Sequence, residues 1–188
     1  MRRVPVMLAL AALLTACSAG GAQPTGAGAA PAASASAPAD PIHAVRDPKK
    51  LAGTPPCQLL TLEQLVANRI DLPGQSKDVL GAPGCEWDDK AHTREIRIYV
   101  DIGNDVLRNV YARRAIFPVF EVTQAAGYPA IRTKDLTEGT SCTFRVAAAE
   151  RQTFVVEFTS LRQGLEEPCG PAKALAEVVL ANLPPLKS

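Results

Sequence analysis

The sequence predicts an α+β domain: an antiparallel β-sheet with helices packed on one face, closed by two disulfides and preceded by a disordered tether. Three observations carry this. Residues 95–102 alternate strictly, with Ile96, Ile98, Val100 and Ile102 on one side and Glu95, Arg97, Tyr99 and Asp101 on the other. Two further alternating runs, around Phe144 and Val146 and around Phe154, Val156 and Phe158, flank a short polar turn near residues 150–152. Period-two patterning of this kind places one face on a core and the other in water. Third, Ala172, Leu175, Ala176, Val179, Leu180 and Leu183 recur at helical spacing, after Pro171 and before Pro184-Pro185. A proline suits the first helical turn and a proline pair stops the helix.

The N-terminus reads as a signal. Arg2 and Arg3 precede an apolar run over residues 4–14. That run is short of the roughly 20 residues a transmembrane helix needs, and fits a signal-peptide core of about 7–15 residues. It ends in Leu14-Thr15-Ala16-Cys17, which resembles the lipobox of bacterial lipoproteins. There the cysteine thiol is acylated, and cleavage makes that cysteine the first residue. The reading is therefore a signal peptide over 1–16 and a lipid-bearing Cys17, carrying diacylglycerol and an N-acyl chain, with two or more chains giving stable anchorage. Residues 18–40 follow, and 20 of these 23 are Ala, Gly, Pro or Ser. Such a segment has too little apolar surface to offset its ordering entropy, so it reads as a disordered tether. The polar residues 41–56 are expected to extend it, giving a tether over 17–56 and one domain over 57–188. All nine aromatic residues lie between Trp87 and Phe158, so the core is expected there.

Within the domain, Thr61-Leu62-Glu63-Gln64 has the form of a capping box, with Leu60 and Leu65 placed as a hydrophobic staple. Leu62, Leu65 and Val66 give a short helical stripe, followed by a loop to Gly84. Cys85-Glu86-Trp87 begins a strand, and 88–93 reads as a polar turn before the strand at 95–102. Asn104 or Asp105 caps a second helix bearing Val106, Leu107, Val110 and Tyr111 on one face. Residues 119–123 and 128–133 read as short strands.

Five cysteines are present. With Cys17 assigned to lipid, an exported chain is expected to bridge Cys57, Cys85, Cys142 and Cys169. Cys85 shares the strand face of Trp87, and Cys142 that of Phe144, so both are expected to point into the core. Cys57 and Cys169 each precede a helix. This parity favours Cys85–Cys142 with Cys57–Cys169. Sequential pairing is the rival, because Cys142 opens a hairpin whose far end leads to Cys169. Intervals of 27, 56 and 26 residues between successive cysteines, with no C-x-x-C, do not match a zinc ribbon.

The ordered set Cys57-x-Leu59-Leu60-Thr61 with Glu63, then Cys85-x-Trp87, then Cys142 opening an alternating strand, then Pro168-Cys169 before an Ala-rich helix ending Leu183-Pro184, resembles a known family. It is the actinobacterial lipoprotein family Domain of Unknown Function 3558. The resemblance implies an extracytoplasmic, membrane-anchored domain and brings no catalytic residues. Members often carry a Gly-x-Gly-x-x-Ala-like turn before the third cysteine; here only Ala126-Gly127-Tyr128-Pro129-Ala130 approaches it.

Chemistry is sparse. With Arg2 and Arg3 removed, 18 bases face 19 acids, a net charge of about −1, so no basic stripe for nucleic acid is expected. His43 and His92 stand in polar segments with no nucleophile or second nitrogen near them in sequence. Ser141, in Gly139-Thr140-Ser141-Cys142-Thr143, lacks the final glycine of a nucleophile elbow. Glu86, Asp88 and Asp89 read as a solvated strand end, residues 101–105 as a helix cap, and Arg108, Arg113 and Arg114 as a solvated helix face. No catalytic, metal-binding or cofactor site is expected. The function expected is a non-enzymatic binding or accessory lipoprotein at the cell envelope. Its partners would be the membrane, through the anchor, and an envelope protein, polymer or lipid. A carrier of apolar ligands, or an envelope hydrolase, is the alternative.

Overall fold

A computed structural model describes residues 40–134, 140–162, 164 and 166–187. The signal segment, the Leu14-Thr15-Ala16-Cys17 motif and the low-complexity stretch through residue 39 lie outside the described residues. Seven strands form one antiparallel sheet: β1 (Gln75–Val79), β2 (Ala82–Asp88), β3 (Arg94–Ile102), β4 (Val119–Ala125), β5 (Tyr128–Lys134), β6 (Ser141–Ala149) and β7 (Gln152–Ser160). Their order across the sheet is β1-β2-β3-β7-β6-β5-β4. Two meanders thus meet at the β3–β7 seam, where nine residue pairs run from Arg94↔Ser160 to Ile102↔Gln152. The helices are α1 (Leu62–Ala67), α2 (Val106–Ala112) and α3 (Cys169–Asn182), with a 3-10 turn at Pro56–Gln58.

The alternating residues do what their period requires. Trp87, Ile96, Ile98, Phe144, Val146, Phe154, Val156 and Phe158 share one face and are buried beneath α3 and α1. All six stripe residues of α3 belong to this core, including Leu183 just beyond its end. The capping box of α1 forms as expected: the Gln64 amide donates to the Thr61 hydroxyl, and the Thr61 amide donates to the Gln64 side chain. Leu60 and Leu65 are buried, but Leu62 and Val66 are 73% and 58% exposed. A six-residue helix presents too short a stripe to bury all three positions, so α1 rests on Leu65 alone. The side chains of Gln64 and Asn182 exchange amide hydrogen bonds, tying α1 to the end of α3.

The two-layer arrangement has an addition. While α1 and α3 cover one face, α2 lies over the other. Leu107 and Val110 pack there on Ile131, with Val122, Phe120 and Ala147 alongside. Ile131 pairs with Arg145 and Ala130 with Val146, so the two β5 neighbours point to opposite faces and each supports its own helix layer. Asp105 caps α2 by accepting from the Arg108 amide.

The disulfides are Cys57–Cys85 and Cys142–Cys169. This corrects the favoured pairing of Cys85 with Cys142 and Cys57 with Cys169. Both strand cysteines do point into the core, as their parity requires. However, β3 and β7 stand between β2 and β6, which puts Cys85 and Cys142 about 14 Å apart at three strand spacings. A disulfide needs Cα atoms within about 7 Å. Each bridge instead runs straight up from its strand to the element above it, with Cα–Cα distances of 5.0 Å.

The domain also begins earlier than residue 57. A compact unit starts at about residue 39, and residues 40–56 form a strap around the end of the sheet. Ile42 is buried against α2 on one face and Leu51 in the main core on the other. In between, the Lys49 amide donates to Ala148 O, the Lys50 amide to Pro184 O, and the Leu186 amide to Pro48 O. Gln152 Oε1 accepts from the amides of Leu51 and Ala52. The segment is polar in composition but holds apolar residues where the wrap needs them.

Strand β1 lies within the expected loop. It is joined to β2 by Leu80 and Gly81, with φ of 54° and 85°, the doubly left-handed turn that favours two-residue hairpins. Ala126 and Gly127, at 47° and 81°, make the same turn between β4 and β5. Just before β1, Gly74 lies against the Cys57–Cys85 bridge. A Cβ there would stand 2.7 Å from Cys85 Sγ and closer still to Trp87 Nε1.

Candidate functional site

The strap, α2 and the end of the β6–β7 hairpin enclose a half-open cleft of about 720 Å3. That lies within the roughly 300–1,000 Å3 of small-ligand sites. Its apolar wall comes from Ile42, Val45, Pro48, Leu107, Ala147 and Leu186. Each has a local reason to be there. Leu107 is on the buried stripe of α2, and Ala147 is the small residue of β6 facing it. A bulge between Ala147 and Ala149 turns the strand end. The strap supplies the opposite wall.

Charge gathers on the rim. Arg108 donates from Nε and Nη2 to Asp40 Oδ2, at 3.0 and 2.6 Å, and from Nη1 to Asp105 Oδ2 at 2.8 Å. The hydrogen bond from Arg108 holds the Asp40 carboxyl below its usual range, helped by the Ile42 amide. Arg151 donates Nε to Gly103 O. Asp105 and Glu150 complete the rim. Three acids thus stand with two arginines on the rim, and Arg108 is already shared between two of the carboxylates.

The rest of this face is a cross-strand charge ladder over β1, β2, β3 and β7. Arg97 meets Glu86 at 2.8 Å, Glu95 at 2.7 Å and Glu157 at 3.5 Å, and Lys77 reaches Glu86 at 3.2 Å. The Arg97 hydrogen bond keeps Glu86 below the ordinary carboxylate range, whereas burial lifts Glu95 above it. A smaller depression of about 390 Å3 on the molecule is bordered by Arg69, Arg94 and Glu166, where Arg94 pairs with Glu166.

The candidates raised by the sequence do not converge. His43 stands on the strap at the cleft, and His92 in the β2–β3 turn, both exposed. Ser141 begins β6, paired with Thr159. Of the acidic trio, Glu86 faces the ladder, while Asp89 turns inward, its carboxylate accepting from the amides of Thr93 and Arg94 and from the Thr93 hydroxyl. Arg114 lies over the Tyr111 ring at 4.6 Å. Cys57, Cys85, Cys142 and Cys169 are all bridged. Among the described residues no three or more His, Cys, Asp or Glu side chains gather to hold a metal ion. No described helix is long and apolar enough to cross a membrane. The cleft itself was missed by sequence reading, because its walls are brought together from residues 42–48, 104–108, 147–153 and 186. The isolated Ile42 and Leu51 in a polar segment were the available signal.

A family model described as "Protein of unknown function (DUF3558)" matches residues 12–182. No curated protein and no solved structure matches the chain.

Proposed function

The chain belongs to the family of unknown function DUF3558, and from that membership and its N-terminal sequence we propose that it is a membrane-anchored extracytoplasmic lipoprotein, its domain a non-enzymatic binding or accessory module at the cell envelope. The observation that carries the reading is Leu14-Thr15-Ala16-Cys17 at the end of the apolar run. The family match begins at residue 12 and so includes this motif, which supports treating it as part of the protein's design. Cysteines held in two bridges fit an oxidising compartment. The cleft gives the domain a place to bind, and the scattered His43, His92 and Ser141 favour binding over hydrolysis.

Fractionation of cells expressing the wild type and Cys17→Ala tests the anchor. The wild type should sediment with membranes and yield an N-terminal peptide carrying diacylglycerol and N-acyl mass. Cys17→Ala should leave that fraction with its domain folded. A Cys17→Ala protein that stays membrane-bound, or a wild type with an unacylated Cys17, defeats the proposal.

A further inference from the structure

We propose that the outer edge of β4 is an interface between two copies of this chain, which join their sheets by antiparallel pairing of β4 about a twofold axis at Val122. Strand β4 stands last in the sheet order, and its described pairing is to β5 alone. Three observations select a second copy as what covers it.

First, the edge is open and lacks the usual protection. Natural edge strands are blunted by shortness, by charge (lysine above all), by proline or by a bulge. At the other margin β1 has five residues, nearly all exposed, with Lys77 and Asp78 among them. Strand β4 has seven residues and an unbroken register, with Glu121 its one charge and no proline. Phe120 and Val122 are only half-buried, as are Tyr111 and Phe117 beside them. Ile116, in the turn that leads to β4, is 69% exposed.

Second, the main chain of this edge is unpaired. The two-residue turn at Ala126-Gly127 makes Ala125↔Tyr128 a hydrogen-bonded pair. Alternation then directs residues 119, 121, 123 and 125 to β5, and points the amides and carbonyls of Phe120, Val122 and Gln124 outward. Pro129 fits this parity, since it stands opposite Gln124, where no hydrogen bond to β4 forms. Among the described residues these outward groups have no backbone partner.

Third, the strand is its own complement. Its outward residues are centred on Val122, which is also its midpoint. A twofold axis there pairs Val122 with Val122, and Phe120 with the second copy's Gln124, each pair exchanging two main-chain hydrogen bonds. The same register sets Glu121 opposite Thr123 and Val119 opposite Ala125, so no like charges meet. Centring on Phe120 would bring Pro118, which has no N–H, opposite Val122. Centring on Gln124 would bring Ala126 of the turn there instead. The edge therefore specifies one register.

The test is sedimentation velocity of the full chain carrying Cys17→Ala, over about 10 nM to 300 μM, with fluorescence detection at the dilute end. The expected species is a dimer, dissociating on dilution. Gln124→Pro removes an outward amide at an exposed position and should raise the dimer Kd at least tenfold. Thr123→Glu would face Glu121 of the second copy and should raise Kd about threefold or more, whereas Thr123→Lys should lower it by a similar factor. Leu80→Ser, in the β1–β2 turn, should associate as the parent does. Trp87 fluorescence confirms that each variant is folded. A parent that stays monomeric throughout overturns the proposal and leaves the edge to a strand of another protein. A dimer indifferent to Gln124→Pro, one weakened equally by Leu80→Ser, or one that both Thr123 variants shift in the same direction overturns it as well. Fractionation of Cys17→Ala reads the anchor separately, so neither result stands in for the other.

Discussion

Leu51→Ala separates a strap that belongs to the fold from a tether that only leads to it. Leu51 is 1% exposed and sits in the main core with Leu59, Trp87 and Leu180. Truncating a leucine so placed removes its transfer free energy and leaves a cavity, at a cost of about 2–5 kcal/mol. Taking about 3 kcal/mol, and roughly 2–4 °C of melting temperature per kcal/mol for a domain near this size, the midpoint should fall by about 6–12 °C. Leu62→Ala is the control: its side chain is 73% exposed, and the change should stay within about 0.5 kcal/mol. Trp87 is the single tryptophan and is 1% exposed, so urea unfolding followed by its fluorescence reports the core directly. If residues 40–56 were a solvated tether, the two leucine variants would behave alike. A Leu51→Ala loss below about 1 kcal/mol would refute the wrap of this segment around the sheet.

Non-reducing peptide mapping should recover Cys57 linked to Cys85 and Cys142 linked to Cys169; a Cys85–Cys142 peptide would contradict the strand order. Sequence separations of 28 and 27 imply that removing either bridge as a double Ala variant costs about 3–4 kcal/mol on the chain-entropy model, read from urea midpoints. Gly74→Ala should cost about 1–3 kcal/mol, because its methyl would press on Cys85 Sγ and the Trp87 ring; a neutral Gly74→Ala in the same assay would refute that close approach. Asp89 gives a pH test. Burial pushes its carboxyl up, but the Thr93 hydroxyl and the amides of Thr93 and Arg94 outweigh it and hold the pKa below the ordinary value. The folded state then binds this proton less readily than the unfolded one. The stabilisation is complete above the unfolded value of about 4 and fades as pH falls through the folded value. Asp89→Asn should cost about 1–3 kcal/mol at pH 7 and flatten the acid side of the stability profile; an unchanged acid limb would refute it.

Legibility followed how local each determinant is. The strand at Arg94–Ile102, the β6–β7 hairpin and α3 were readable because each buries one face, and burial writes its period into the sequence. β1 was not, because it is an exposed edge strand; with no face in the core, Gln75–Val79 has no alternation to show. Its one cue was Leu80-Gly81, where glycine follows a residue forced to positive φ. The strap escaped because two apolar residues in a polar run carry no period at all, and their burial depends on partners a hundred residues away, such as Gln152. The disulfides show the same limit more sharply. Side-chain parity at Cys85 and Cys142 was correct, yet parity gives only the face, not the strand's place in the sheet. That place was set by the β3–β7 pairing, a long-range event invisible to any local window. The cleft depends on the strap and on that same topology, so it was hidden twice over.

The placement of the bridges bears on where the larger cleft lies. On the face beneath α1 and α3, the layer over β2 is thin: a 3-10 turn and a six-residue helix with only Leu65 buried. Helices so short have marginal stability of their own, and Cys57–Cys85 holds that layer to its strand. At the other end Cys142–Cys169 fixes the first residue of α3 to β6. Both ends of this layer are thus joined to the sheet over Trp87, Phe154 and Phe158, and the smaller depression of about 390 Å3 lies on this face, between Ala67, Phe158 and Pro171. Among the described residues the opposite face has no bridge. Its cover is α2 over β4, β5 and β6, a charge ladder over the rest, and a strap whose first described residue, Asp40, is held by Arg108 at the surface. That ion pair is exposed, and Ile42 just behind it is buried against Leu107 and Val110. The fold thus combines a face bridged to its cover at both ends with one covered by α2 and the strap, and the cleft lies on the second, with the Asp40–Arg108 pair at its rim.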